Sequence, residues 1–323
     1  MTQTTGPRDG GSKAMQPQAA TQREATADTP APSGRAGPHI GLHATFVGGG
    51  NMATALIGGL VEAGADAARI HVVEPFAGQR ERLAARWPAV HLHAVAEAAA
   101  FATSDIVVMA VKPQQMREAA RALAPFLGQG TAASGDAAPP VVLTIAAGIR
   151  VRDLARWLGG SPRIVRAMPN TPALVGQGIT GVFAAADVDA PSRANAQLVL
   201  EAAGDVVWFD DEADLDIVTG LASSGVAYVF YILEALESAG ADLGLDRPTA
   251  RRLAYATLGG AVALARASGE EPAVLRANVT SKGGTTERGL AALREGGVER
   301  ALHAAVVAAT ARAREMGDAF GAA

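Results

Sequence analysis

Cysteine is absent from this 323-residue chain, which excludes a disulfide framework, a thiolate zinc site and a cysteine nucleophile. A reducing cytoplasm is compatible with that absence, and a cytoplasmic location is the expectation. Aromatic residues are scarce at 4%, so helices are expected to approach one another through small side chains. Charged residues make up 19% and the formal net charge is −4. With no basic stripe interleaved with aromatics, nucleic acid is not an expected partner. No apolar run approaches the ~18 residues of a membrane span, and no membrane partner is expected. Lysine occurs three times only, as Lys13, Lys112 and Lys282.

What is present is enough apolar chain for two domains, each with its own core. Residues 1–38 are rich in Thr, Gln, Ala, Gly and Pro, with few large apolar groups to offset ordering entropy, and are expected to be a disordered tail. The tail shows neither the apolar core of a secretory signal nor a lipidation motif.

From His43 the pattern changes. The apolar run LHATFV leads into GGGNMATALIGGLVEAG and then IHVVEP. Gly48, Gly50 and Ala53 fit G-x-G-x-x-[G/A] between a strand and a helix, and the strand Ile70 to Val73 closes a βαβ unit of the expected ~30 residues. The first glycine permits the tight turn, the second admits a pyrophosphate, and the small third residue permits close helix–strand packing. Glu74, at the end of the second strand, is placed to bond a ribose 2′-hydroxyl and repel a 2′-phosphate. Gln79, Arg80 and Arg82 follow and suit a phosphate or a solvated helix face, so NAD and NADP both stay open.

Further strands are expected at Asp105 to Val111, Val141 to Ala146 and Arg163 to Met168, alternating with helices such as Gln114 to Leu127. That alternation implies a parallel sheet wound by right-handed crossovers, with a ligand beyond the strands' carboxyl ends. Those ends carry Lys112-Pro113, Ala146-Ala147-Gly148 and Pro169-Asn170-Thr171-Pro172, whose breakers stop the strands and leave polar groups facing the cleft.

After Asp211 the strand pattern fades. Helices are expected at Leu215 to Ala239, Arg247 to Ala267, Pro272 to Asn278, Thr285 to Leu293 and Val298 to Phe320. The first is apolar nearly all round and needs a large cover, for which a partner subunit is the natural candidate. Its Ser223-Ser224-Gly225 reads either as a close helix crossing or as a ligand-facing kink. The stretch NVTSKGGTTERGLAAL, Asn278 to Leu293, breaks the helical run with two glycines and several hydroxyls. It is either a plain connection or a set of amides and hydroxyls aimed at an anion.

Together GGGNMA, AVKP, the AAG turn, RAMPNTP, the TGL…SG.AY helix and VTS.GGTTERGLAAL, spread from Thr45 to Leu293, resemble the pyrroline-5-carboxylate reductase family. The resemblance implies an α/β fold, with an N-terminal Rossmann dinucleotide-binding domain over residues 39–210 and an all-helical dimerisation and substrate domain over residues 211–323. It implies a homodimer through the helices, assembled into a higher homo-oligomer. It further implies reduction of 1-pyrroline-5-carboxylate to L-proline with NADPH, NADH being the alternative. Gly48, Gly49, Gly50, Asn51, Met52 and Ala53 then meet the pyrophosphate. Glu74, Ala110, Val111, Lys112 and Pro113 lie along the cofactor, and Ile145, Ala146, Ala147, Asn170 and Asn278 lie near its nicotinamide half. Ser281, Gly283, Gly284, Thr285 and Thr286 hold the substrate, with the Thr286 hydroxyl beside the ring nitrogen as the catalytic group. Relatives commonly read SGSGPAY where this chain has Ala222 to Tyr228, proline where it has Lys282, and asparagine where it has Val95.

The chemistry agrees with a C=N substrate. A cyclic imine has a pKa not far from neutral, so it arrives already protonated and the protein needs no strong acid. None of the six histidines lies in these motifs. A ketone would demand a donor such as His, Tyr or Lys. The related β-hydroxyacid dehydrogenases carry a catalytic lysine on the long helix after the Rossmann domain, and Asp211 to Gly240 has none. Two other readings remain: a related cyclic-imine or ketimine reductase, and a non-catalytic NAD(P)-binding protein.

Overall fold

Runs of branched apolar residues, flanked by glycine or proline, set the sheet. The structure, a computed structural model, describes Met1 and residues 41–127, 139–160 and 163–322. The expected tail lies outside the described residues apart from Met1. In chain order the first part runs β1 (Ala44–Val47), α1 (Asn51–Glu62), β2 (Ile70–Val73), α2 (Ala77–Arg86), β3 (His91–His93), α3 (Ala98–Phe101) and β4 (Ile106–Met109). It continues with α4 (Met116–Leu127), β5 (Val141–Thr144), α5 (Val151–Trp157), β6 (Ile164–Met168), β7 (Gly178–Ala184), α6 (Ala190–Glu201) and β8 (Gly204–Trp208). The eight strands form one sheet in the order β3-β2-β1-β4-β5-β6-β7-β8.

Every residue of β1, β4 and β5 is buried, because helices cover both faces. Phe46, Val72 and Val108 pack towards Leu56, Ile57, Leu60 and Leu200, while Val107 and Met109 pack towards Met116, Leu123, Leu154 and Trp157. The fold is a three-layer α/β/α sandwich of Rossmann type.

Two features depart from the sequence expectation. The sheet is mixed rather than wholly parallel, since β7 runs antiparallel to β6 and parallel to β8. Strands β3, β7 and β8 were not foreseen. β3 is His-Leu-His with no apolar run, β7 is interrupted by Gly181, and β8 is an edge whose residues alternate between half-buried and exposed.

The second part contains helices only: α7 (Asp214–Val218), a π turn at Thr219–Ser223, α8 (Gly225–Asp242), α9 (Arg247–Ser268), α10 (Pro272–Asn278), α11 (Thr285–Glu295) and α12 (Val298–Ala322). Asp246 caps α9 by accepting from the Thr249 amide at 3.0 Å. Glu237 of α8 receives Arg251 of α9 at 2.7 Å, and the hydrogen bonds from that guanidinium hold its carboxyl below the usual range.

At Ser223-Ser224-Gly225 a π turn over Thr219–Ser223 leads into α8, and a Cβ on Gly225 would meet nothing nearer than Tyr228 at 4.0 Å, so no close crossing lies there. The Ser224 amide reaches back five residues to the Thr219 carbonyl at 2.9 Å. The close crossing sits instead at Gly220, where a Cβ would stand 2.8 Å from the Val306 carbonyl oxygen of α12.

The helix Asp214–Asp242 also corrects the expectation about apolar runs. An 18-residue stretch of it has a mean hydropathy of 1.5, which makes it long and apolar enough to cross a membrane by length and composition. Among its apolar side chains Val229, Phe230, Tyr231 and Leu236 are exposed on a single chain, as are Leu253 and Tyr255 of α9. Exposed apolar side chains of this number on two neighbouring helices suit an interaction face.

Candidate functional site

Backbone pairing continues past the strand ends and gathers several of the expected cofactor residues at the carboxyl ends of the central strands. The Gly48 amide donates to the Val73 carbonyl at 2.8 Å, Ala110 to Val47 at 2.8 Å, and Ile145 to Met109 at 3.3 Å. The first loop is held open by its glycines. Gly48 has a φ of +97°, and a Cβ on it would lie 2.8 Å from the Ala110 carbonyl oxygen. Gly50, which caps α1, has no neighbour within 4 Å of such a Cβ, so nothing in the chain's own packing requires glycine there.

Beyond Gly50 begins a 12-residue helix with no side-chain cap, leaving its first amides free for an anion. Beside it lies a cavity of about 600 Å³, lined by Gly48, Gly50, Glu74, Ala110, Val111 and Lys112 among others. Phe76 and Val95 line it too while 67% and 66% exposed, which offers apolar walls to a flat ring. The bare Gly50, the free helix start and the apolar slot fit an adenine dinucleotide. Phe76 and the cavity-facing residues of α4, Glu118, Ala119 and Ala122, escaped the sequence reading. An aromatic directly after a strand's Glu-Pro ending was the signal for Phe76.

Glu74 is 6% exposed. Its carboxylate accepts the Gly49 amide at 2.9 Å with one oxygen and the Phe76 amide at 2.9 Å with the other. Gln79 donates to the Gly49 carbonyl, and Arg80 donates to the carbonyls of Glu74 and Pro75 at 2.7 and 2.8 Å. The strand-end acid thus clamps the glycine loop, and Arg80 braces the turn.

The structure does not bring all the expected residues together. Ile145 and Ala146 are buried at the end of β5, and Ala147 begins a turn at Gly148 that packs against Phe320. Asn170 is buried, with its side chain donating to the Ala222 carbonyl at 3.2 Å and accepting the Ile179 amide at 3.0 Å. Ser223 donates to the Pro169 carbonyl at 3.1 Å, so the loop after β6 is stitched to the π turn. Asn278 ends α10 and is exposed.

The hydroxyl-rich segment forms a turn into α11. Gly283 has a φ of +75°, and its amide donates to Glu287 at 2.6 Å. Gly284 caps α11, and Thr285 and Thr286 open the helix with their side chains exposed. Ser281, Gly283, Gly284, Thr285 and Thr286 are therefore together, on a helix start suited to a carboxylate. None of them lines the cavity beside Gly48, whose lining comes entirely from residues 47–123.

None of the described histidines lines that cavity. His71 stacks on His91 with ring centroids 4.7 Å apart, and its Nδ1 lies 3.0 Å from His93 Nε2. Burial first, then the neighbouring His91, His93 and His43, lowers the His71 pKa from 6.5 to about 4.

Comparison with known proteins adds identity to this geometry. Residues 212–316 match a family model described as pyrroline-5-carboxylate reductase dimerisation, and residues 43–131 match one described as NADP oxidoreductase, coenzyme F420-dependent. A pyrroline-5-carboxylate reductase of Pseudomonas aeruginosa is 42% identical over 276 residues, which is 85% of this chain and 97% of that protein. A solved pyrroline-5-carboxylate reductase from Coxiella burnetii superposes with a TM-score of 0.78 at 35% identity, covering 85% of this chain and 98% of that one. The Plasmodium falciparum pyrroline carboxylate reductase, solved with NADP bound, gives a TM-score of 0.73 at 26% identity, covering 87% and 100% of the two chains.

Proposed function

The chain belongs to the pyrroline-5-carboxylate reductase family, and from that premise we propose that it reduces the C=N bond of 1-pyrroline-5-carboxylate to give L-proline, in proline biosynthesis. The observation that carries the reading is that one chain holds both a bare glycine cavity at the strands' carboxyl ends and, apart from it, a hydroxyl-rich helix start with no His, Lys or Tyr in its first turn.

The start of α1, with Gly48 to Ala53, holds the pyrophosphate, and Phe76 and Val95 enclose the adenine. Ala110 to Pro113 lie along the cofactor, and Ile145 to Ala147, Asn170 and Asn278 lie near its nicotinamide half. When bound, the nicotinamide of NADPH or NADH supplies a hydride. The amides at Gly284 to Thr286 and the Ser281 and Thr285 hydroxyls hold the substrate carboxylate, and the Thr286 hydroxyl orients the ring nitrogen. A hydroxyl suffices because the nitrogen enters already protonated. Holding hydride donor and acceptor carbon ~3–3.5 Å apart contributes up to ~7–11 kcal/mol of barrier reduction.

The exposed faces of α8 and α9 join two copies of the chain, and a dimer allows one subunit's α11 to serve the other's sheet edge. We further propose the division into residues 39–210 and 211–323, assembly of dimers into a higher oligomer, and a cytoplasmic enzyme whose apolar helix meets protein rather than lipid.

The test is oxidation of NADPH and NADH on addition of 1-pyrroline-5-carboxylate or its six-membered homologue. The five-membered substrate is the faster on this reading. Faster oxidation with the six-membered ring points to a ketimine reductase, with the pocket altered at Val226 and Lys282. Dinucleotide binding without substrate-dependent oxidation points to a non-catalytic role.

A further inference from the structure

The cavity that receives the adenosine half has one buried charge. Glu74 is 6% exposed, lines the cavity, and forms no ion pair among the described residues. Main-chain amides fix it from two sides, Gly49 from the glycine loop and Phe76 from the start of the turn into α2, each at 2.9 Å. It cannot swing away without opening the loop that carries the pyrophosphate. The carboxylate therefore stands permanently between that loop and the turn bearing Phe76, where the adenosine ribose must pass.

Exposed Lys112 also lines the cavity, and two arginines follow Glu74 closely enough to oppose it. Arg80 is turned to the carbonyls of Glu74 and Pro75 through one terminal nitrogen. Arg82 lines the cavity, but it is exposed and is held only through its Nε to Gln79 at 2.9 Å. Attraction between an exposed guanidinium and a phosphate is screened by water and salt, whereas repulsion from a buried, immobile carboxylate is screened far less. The fixed anion outweighs the mobile cation, and a hydroxyl donor at the ribose 2′ position gains an acceptor where a phosphate meets repulsion.

We infer that Glu74 is the specificity-determining residue of the adenosine ribose site and makes the chain prefer NADH to NADPH. The inference rests on the dinucleotide reading above and deepens it. Arg82 then serves the rim of the cavity rather than a 2′-phosphate.

The experiment is calorimetric titration of the full-length protein with ADP-ribose and with its 2′-phosphate, fragments that need neither imine nor turnover. Wild type is expected to bind ADP-ribose at least tenfold more tightly. Glu74→Gln, which keeps one acceptor for the loop and removes the charge, is expected to shrink that ratio by at least fivefold. Equal or tighter binding of the 2′-phosphate by wild type overturns the inference, and does so even where the variant fails to fold. An unchanged ratio in a folded variant overturns it as well. Binding of neither fragment overturns both this inference and the dinucleotide reading, whereas fragment discrimination without imine reduction upholds Glu74 and refutes the proposed substrate alone.

Discussion

Gly48 lies directly against Ala110: with φ at +97°, a Cβ on Gly48 would stand 2.8 Å from the Ala110 carbonyl oxygen. The ends of β1 and β4 can therefore meet only over a glycine. Gly48→Ala is expected to destabilise the fold by roughly 1–3 kcal/mol, the usual range for a side chain forced into such backbone. Urea unfolding followed by circular dichroism measures it, and an unchanged midpoint would contradict the packing described.

Gly50 is a glycine of a different kind. Its Cβ position is open, and serine is a favoured helix cap. Gly50→Ser should keep or raise the melting temperature while weakening dinucleotide binding about tenfold, or ~1.4 kcal/mol. Fluorescence titration with NADH and NADPH reads the loss. Undiminished affinity would place the pyrophosphate elsewhere.

Arg166 joins the sheet to the helices. It is 3% exposed on β6 and pairs with Glu212 at 3.0 Å and with Asp216 of α7 at 3.3 Å. Removing one partner of a buried pair strands the others, so Arg166→Ala should cost about 3–5 kcal/mol in denaturant unfolding. A loss below about 1 kcal/mol would mean that water solvates the acids adequately.

His71 makes stability depend on pH at mildly acidic values. Its pKa is lowered from 6.5 to about 4, so the unfolded chain takes up a proton there that the folded chain refuses. Stability contributed by the neutral ring is complete above pH 6.5 and declines as pH falls towards 4. The groups facing it are His91, His93 and His43, with Glu97 on His93 and Arg69 on His43. Melting temperature should drop between pH 6.5 and 5, and His71→Asn should flatten that slope. Equal slopes in both proteins would remove His71 as the cause.

The central strands and the glycine loop were legible because both faces of β1, β4 and β5 are covered, which writes them as unbroken apolar runs. β7 and β8 were not, since β7 is broken by glycine and β8 is a half-exposed edge. The helices of the second half were visible within a few residues, except that hydropathy is blind to the π turn, which sits where Gly220 meets α12, a contact distant in sequence. Glu74 was recognised by position, but its clasp on Gly49 and Phe76 depends on two backbone amides that no side-chain pattern records. The cradle at Ser281 to Thr286 was visible as composition, while its separation from the Gly48 cavity within one chain was not, because assembly is written on exposed faces rather than in motifs.

Thr286→Ala offers the most direct test of the account. Steady-state oxidation of NADH or NADPH with 1-pyrroline-5-carboxylate, alongside dinucleotide titration, should show turnover reduced more than tenfold with dinucleotide affinity unchanged. Turnover equal to that of the wild-type protein would contradict the role given to the Thr286 hydroxyl and, with it, the cradle at the start of α11.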